Sequence, residues 1–320
     1  MRCGCLSRGR GDQIFVEELR RFAQRAADQR VTAIADRVAA PLRVAVRGRR
    51  GVGRSTVARA LGHWFTVVQS DADLEVQVIA EVVKPEDASA AQLVVLNKAD
   101  LTGFGGAGPM AAASARCPEF SRLLGAPVVP MSGLLAAAAL GGVDAASWAA
   151  LRTLAAEPDR LDGFLTTDVP VRRQLLATVD LFGIALAVAA LRQGSGPARV
   201  RALWRRVSGV DDVVERLVAA GARARYRRVL DAVTELEVLS VGDPAIGTFL
   251  AADDTVIARM AVALDAAQED GLAPGPSGPL QRAVHWQRYG RCAPNGLHRA
   301  YGADIARGAL RLWSAGQEPR

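Results

Sequence analysis

Lysine and asparagine are almost missing from this 320-residue chain: there are two of each, against 38 arginines among its 40 basic residues. An arginine and alanine excess of this kind is what a GC-rich coding sequence produces. The formal charge of +7 therefore does not argue for nucleic-acid binding, and no nucleic-acid partner is expected. It permits peripheral contact with anionic lipid without requiring it. Aromatic residues make up only 5% of the chain, and abundant alanine favours helices. The cysteines number four, Cys3, Cys5, Cys117 and Cys292, too scattered for a disulfide framework. His285, Cys292 and His298 have zinc-binding chemistry but no recognised spacing and no fourth ligand nearby. No apolar signal-peptide core follows Cys3 and Cys5, and no lipidation motif accompanies them. The longest apolar run, Leu175 to Leu191, carries Asp180 inside it and follows Arg172 and Arg173. It falls short of the ~20 residues that cross a bilayer and is expected as a buried helix. A cytoplasmic protein, peripherally membrane-associated at most, is the expectation.

Against that scarcity, one asparagine and one lysine stand side by side in Asn97-Lys98-Ala99-Asp100, directly after the apolar run Leu93-Val94-Val95-Leu96. A carboxylate at the end of a buried strand accepts two hydrogen bonds from the edge of guanine. Adenine offers no such pair of donors. Asp100 is therefore a candidate guanine reader.

Upstream, Leu42 to Val46 reads as a short buried strand. It leads into Gly48-Arg49-Arg50-Gly51-Val52-Gly53-Arg54-Ser55-Thr56 and then a helical stretch, Val57 to Trp64. This is the strand–loop–helix setting of a phosphate-binding loop. Its glycines, Gly48, Gly51 and Gly53, let backbone N–H groups converge on phosphate oxygens, and the positive end of the following helix favours the anion. Arg54 stands where the motif has lysine, and a forked guanidinium does not replace a compact ammonium neutrally. A third short run, Pro127 to Met131, ends in Ser132-Gly133.

In this order the chain resembles the P-loop GTPases of the translation-factor-related class, most closely Era-like and bacterial dynamin-like members. The resemblance covers roughly residues 30–140. It implies GTP or GDP with Mg²⁺ as cofactors, and Ser55 as the metal-holding hydroxyl. It further implies that Asn97 braces the site, the Lys98 stem covers the base and Asp100 reads its edge. A backbone N–H near Ser132 and Gly133 would meet the guanine O6.

Only 41 residues separate Ser55 from Asn97, and no Asp-x-x-Gly lies between them. Thr66 to Val68 and Leu74 to Ala80 read as strands there, with Asp71 and Asp73 as weak candidates for a magnesium-side carboxylate. Lys84 to Ala91 is short for a parallel crossover. No catalytic residue is assignable, so binding is better supported than hydrolysis.

Beyond Ser132 the apolar spacing becomes helical, as in Val229, Val233 and Leu236 or Val256, Met260 and Leu264. Leu272 to Pro279 is the one clear Pro/Gly-rich loop. Trp204 and Tyr226, interleaved with Arg199, Arg201, Arg205, Arg206, Arg223, Arg225, Arg227 and Arg228, are expected in a solvated basic face. The expected architecture is a reduced α/β P-loop NTPase-type domain with a mostly parallel sheet, followed by an all-α domain. The boundaries are an N-terminal arm and helices over 1–40, the nucleotide domain over 41–145 and the helical domain over 146–320. The expected function is a guanine-nucleotide-binding regulatory protein with weak or absent hydrolysis, acting on a protein partner. The alternative is a non-hydrolysing scaffold.

Overall fold

The computed structural model describes residues 10–316 apart from 89, 104–107 and 157–168; Cys3 and Cys5 lie outside the described residues. Five strands form one sheet: β1 (Arg43–Arg47), β2 (Thr66–Val68), β3 (Leu74–Ala80), β4 (Leu93–Asn97) and β5 (Val128–Met131). They run in the order β2-β1-β3-β4-β5. All four ladders are parallel, with Ala45 opposite both Val68 and Glu75, Val78 opposite Val95, and Val95 opposite Val129. Parallel sheets are covered on both faces, which is why their strands read as continuous β-branched runs rather than alternating ones. All five residues of β4 are buried. Fully burying each Val or Leu of this strand contributes about 1.5–3 kcal/mol.

The two short connections have different solutions. Residues 81–92, between β3 and β4, hold a single 3-10 turn, Pro85–Asp87. Only residues 69–73 join β2 to β3. That suffices because β2 is three residues long, so the chain has little length to retrace.

The chain divides into two compact units, Arg43–Leu217 and a second unit made of residues up to Leu42 together with Val218 onward. The sheet unit also holds the helices Gly133–Gly141, Ala145–Ala156, Val169–Arg192 and Pro197–Val207. One core cluster joins Leu135, Trp148, Leu175, Val179 and Trp204. In the other unit, Phe15, Leu19 and Ile34 from the first two helices share a core with Tyr226, Leu236, Trp286 and Ile305. The divisions thus fall near 42 and 217, where sequence spacing had placed them near 40 and 145. Alanine-rich helices beyond 145 carry no local mark of which core they join.

Every described element after β5 is a helix, in line with the apolar spacing. Their starts follow capping chemistry: the Asp243 side chain accepts from Ala245 N–H at 2.9 Å, and Asn295 from His298 N–H at 2.9 Å. Proline opens the helices at 109, 197, 244 and 279, where its missing N–H costs nothing. Trp204 and Tyr226 are fully buried. Trp204 Nε1 donates to Gly183 O at 3.0 Å and Tyr226 Oη donates to Asp304 at 2.8 Å. Neither aromatic belongs to a basic surface.

Candidate functional site

The strand order reverses at β1: the chain leaves it for β2 on one side and later returns to β3 on the other. In open α/β sheets, the crevice at the carboxyl ends of the strands at such a reversal is where ligands bind. Three segments leave carboxyl ends on this edge. Gly48–Gly53 follows β1, Lys98–Asp100 follows β4, and Ser132-Gly133 follows β5.

Asn97 joins all three. Its side chain is buried, its Nδ2 donates to Val52 O at 2.8 Å, and its Oδ1 accepts from Gly133 N–H at 2.9 Å. One amide thus satisfies a carbonyl in the glycine loop and an N–H at the start of the helix after β5. The packing leaves no space for side chains there. A Cβ on Gly53 would stand 2.2 Å from Asn97 Nδ2, and one on Gly133 would stand 2.8 Å from Asn97 Oδ1. Gly53 also has φ 87°, a left-handed conformation that glycine adopts without steric penalty.

The loop is held on its other side by Arg49. Its Nη2 donates to Ala80 O at 3.0 Å and Val82 O at 3.2 Å, and its Nε lies 3.4 Å from the fully buried Asp87. The next helix, α3 (Arg54–Leu61; α1 and α2 being Arg10–Ala26 and Gln29–Ala39), begins directly after Gly53. Thr56 and Val57 N–H both donate to Gly53 O, at 3.0 and 3.1 Å. The Arg54 and Ser55 N–H groups remain without a backbone acceptor, as first-turn donors do. Arg54 and Ser55 are exposed and Thr56 half-buried. The Thr56 methyl lies against Gly133, where it would stand 3.4 Å from an added Cβ.

Asp100 is buried, at 4% exposure. Burial is the main cause raising its carboxyl above the usual value. The Ser132 hydroxyl beside it opposes that rise, and the Asp180 carboxyl adds to it. Ser132 Oγ is itself buried, and its geometry falls short of a hydrogen bond. Lys98 adopts φ 58°, ψ 32°, a left-handed conformation that costs a non-glycine residue roughly 1–2 kcal/mol. Such strain concentrates at functional positions.

Three expectations are corrected by this geometry. The Ser132 N–H donates to Ser208 O at 2.9 Å and the Gly133 N–H to Asn97, so neither is left for a ligand. Asp73 caps the beginning of β1, accepting from Arg43 N–H at 2.6 Å. That is the edge opposite the glycine loop, so Asp73 is no magnesium-side carboxylate. Asp71 is exposed on the same β2–β3 turn at φ 49°. Among the described residues no three or more His, Cys, Asp and Glu side chains gather as a metal site. His285, Cys292 and His298 do not gather either; His298 lies 3.4 Å from Asp270.

Asp180 is the residue that sequence reasoning left as a helix-interior acid. It breaks the helix Val169–Arg192 with φ 60°, ψ 176°. This region is essentially reserved for glycine and costs roughly 1–3 kcal/mol. Its signal was present: one carboxylate inside an apolar run, followed closely by Gly183. No family model, curated protein or solved structure matches this chain.

Proposed function

We propose that Arg43–Leu217 is a P-loop-type unit that binds guanine nucleotides and turns them over weakly or not at all. The observation that carries this is the double hydrogen bond of Asn97, which gathers the glycine loop, Lys98–Asp100 and the segment after β5 at one edge of the sheet. The loop and the unpaired N–H groups of Arg54 and Ser55 suit phosphate oxygens, with Arg54 adding charge. Asp100 reads the N–H edge of guanine, and Lys98 lies along the base. The N–H for the guanine O6 passes to Leu134, the next along the helix. A magnesium ion would arrive with the phosphates and meet Ser55. Magnesium commonly binds through few protein ligands plus substrate phosphate, so the absence of a carboxylate cluster is compatible with it. A regulatory role follows if the two nucleotide states differ in their contacts.

Competition binding with GDP, GTP, ADP and ATP tests the reading. Guanine is expected to win by the worth of a charge-assisted hydrogen-bond pair, a few kcal/mol, and Asp100→Ala to abolish the preference. Equal affinities for the four nucleotides would sink the assignment. The second reading, a non-hydrolysing scaffold with a closed pocket, draws on the burial of Asp100. Nucleotide released from the native protein and identified by chromatography separates the two.

A further inference from the structure

Among the described residues, two buried polar atoms without a hydrogen bond face one another beside the glycine loop. They are Arg49 Nε and Asp87 Oδ1, 3.4 Å apart. Each belongs to a side chain that is otherwise engaged. Arg49 Nη2 donates to both Ala80 O and Val82 O, at and just past the end of β3. Asp87 is fully buried, and its Oδ2 accepts from Lys84 N–H at 3.0 Å. The chain between these points is tightly turned: Glu81 has φ 64°, and Val82 N–H donates back to Ala80 O at 2.7 Å. On the loop side, a Cβ on Gly48 would stand 2.6 Å from Val78 O. The loop therefore leaves β1 pressed against β3, and Arg49 then grips the end of that strand.

Stability alone does not account for this arrangement. A buried ion pair recovers its desolvation cost only with excellent geometry and full hydrogen bonding, and here one atom on each partner lacks a bond. Apolar side chains would join loop to strand as well. What the charged pair supplies is placement: a planar fork fixed by two carbonyls and a carboxylate has one position, and it fixes the loop backbone around Arg49. The left-handed backbone of Glu81 is strain of the kind that gathers at functional positions.

We infer that Arg49 is a positioning residue for bound phosphate: held by Asp87 and the end of β3, it sets the N–H groups of the glycine loop and couples the phosphate site to residues 81–88. The inference rests on the nucleotide reading above and deepens it. Arg49 acts without touching the ligand, because its guanidinium is turned to Ala80, Val82 and Asp87. The coupling runs both ways. An occupied loop steadies residues 81–88, and loosening those residues weakens phosphate binding. Base recognition at Lys98–Asp100 lies outside the link.

The test is titration of the full-length protein with GDP and with guanosine, which shares the base but carries no phosphate. Arg49→Met and Asp87→Asn are each expected to lose at least about fivefold in GDP affinity, the lower end of typical coupling between linked sites. Guanosine affinity should not change. Arg49→Lys should not rescue, since an ammonium cannot span the partners that the fork does. The double variant should lose no more than Arg49→Met alone, because both changes undo one link. In the parent, hydrogen exchange at residues 81–88 should slow with GDP but not with guanosine, a readout that requires no variant to fold. GDP binding that Asp87→Asn leaves unchanged or strengthens overturns the inference; a gain would mean that a released Arg49 acts as a direct phosphate charge. Equal losses for GDP and guanosine overturn it in favour of a merely structural clamp, and so does exchange at 81–88 that GDP leaves unaltered. If the parent binds GDP no better than guanosine, the phosphate site itself falls, and the inference with it.

Discussion

Substituting Asn97 tests whether the three segments are held by one side chain, and the structure sets the size of the effect. The amide is buried, with partners at 2.8 and 2.9 Å on Val52 O and Gly133 N–H. Asn97→Leu keeps the volume but leaves both backbone groups buried and unpaired. Each unsatisfied group costs about 1–3 kcal/mol, so the loss of stability should be roughly 2–6 kcal/mol. Asn97→Ala opens a space next to polar groups, and a water entering it would recover part of that, so its cost should be smaller. Asn97→Asp retains the acceptor for Gly133 N–H but turns a carboxylate oxygen towards the Val52 carbonyl, replacing an attraction with a repulsion. It should cost at least as much as the leucine. The assay is urea and thermal unfolding, read separately for Trp148 and Trp204 in the sheet unit and for Trp286 in the other. Only the sheet-unit transition should move, by about 2–4 °C per kcal/mol for a unit of this size. A loss below about 1 kcal/mol for Asn97→Leu, or an Asn97→Asp variant as stable as the parent, would refute the brace.

The remaining expectations concern alkaline pH and turnover. All three tyrosines, Tyr226, Tyr289 and Tyr301, have phenols raised chiefly by burial, with Asp304 acting further on Tyr226 and Asp270 on the other two. A folded-state value above the unfolded one contributes stability that is fully present below the ordinary phenol value near 10. It is lost as pH rises beyond that. Ultraviolet difference titration should therefore show less tyrosinate in the native protein at pH 10 than in the unfolded chain, with Tyr226 and Tyr301 ionising only as helical circular dichroism is lost. A normal titration of the folded protein would contradict the burial argument. For Arg54→Lys, nucleotide affinity should change modestly and turnover stay low. Single-turnover phosphate release well above ~10⁻⁴ per second, the intrinsic scale of unassisted small GTPases, would show a catalytic element at work.

How far the sequence reaches depends on the range of each interaction. The strands were legible because parallel pairing buries both faces and leaves unbroken β-branched runs such as Leu93–Leu96. The glycine-rich turn between β1 and the helix Arg54–Leu61 was legible because glycine spacing encodes a local backbone path. Helices after β5 announced themselves through apolar spacing and caps such as Asp243 and Asn295. The unit boundaries did not, since Phe15 meets Tyr226 and Leu135 meets Trp204 through packing that leaves no local pattern. Ser132 was misjudged for the same reason: its N–H is taken by Ser208, a partner 76 residues away. Asp73 carried the right chemistry for a metal, but the tight β2–β3 turn brings it to the wrong edge. Asp180 was passed over despite that signal because a charged residue in an apolar helix usually turns outward, and the break at it is a matter of tertiary structure.

The sheet itself accounts for why binding and hydrolysis come apart in this reading. Base recognition and the Asn97 brace draw on β4 and β5, which are complete and joined by a full helix, Pro109–Leu124. Phosphoryl transfer needs a segment that reaches over the outer phosphate to position water and neutralise charge. Such a segment would have to come from the chain between α3 and β3. That stretch holds only residues 62–65 before β2 and 69–73 after it. At a maximal reach of about 3.3–3.6 Å per residue, four or five residues are consumed by crossing from helix to strand or across β1. The second link is tethered as well, since Arg43 Nη2 donates to Ser70 O at 3.3 Å and Arg47 Nη2 to Gln69 O at 2.6 Å. In the proposed reading, this topology keeps the segments that would recognise a nucleotide and shortens the chain that would act on one, and no substitution at Arg54 restores that length.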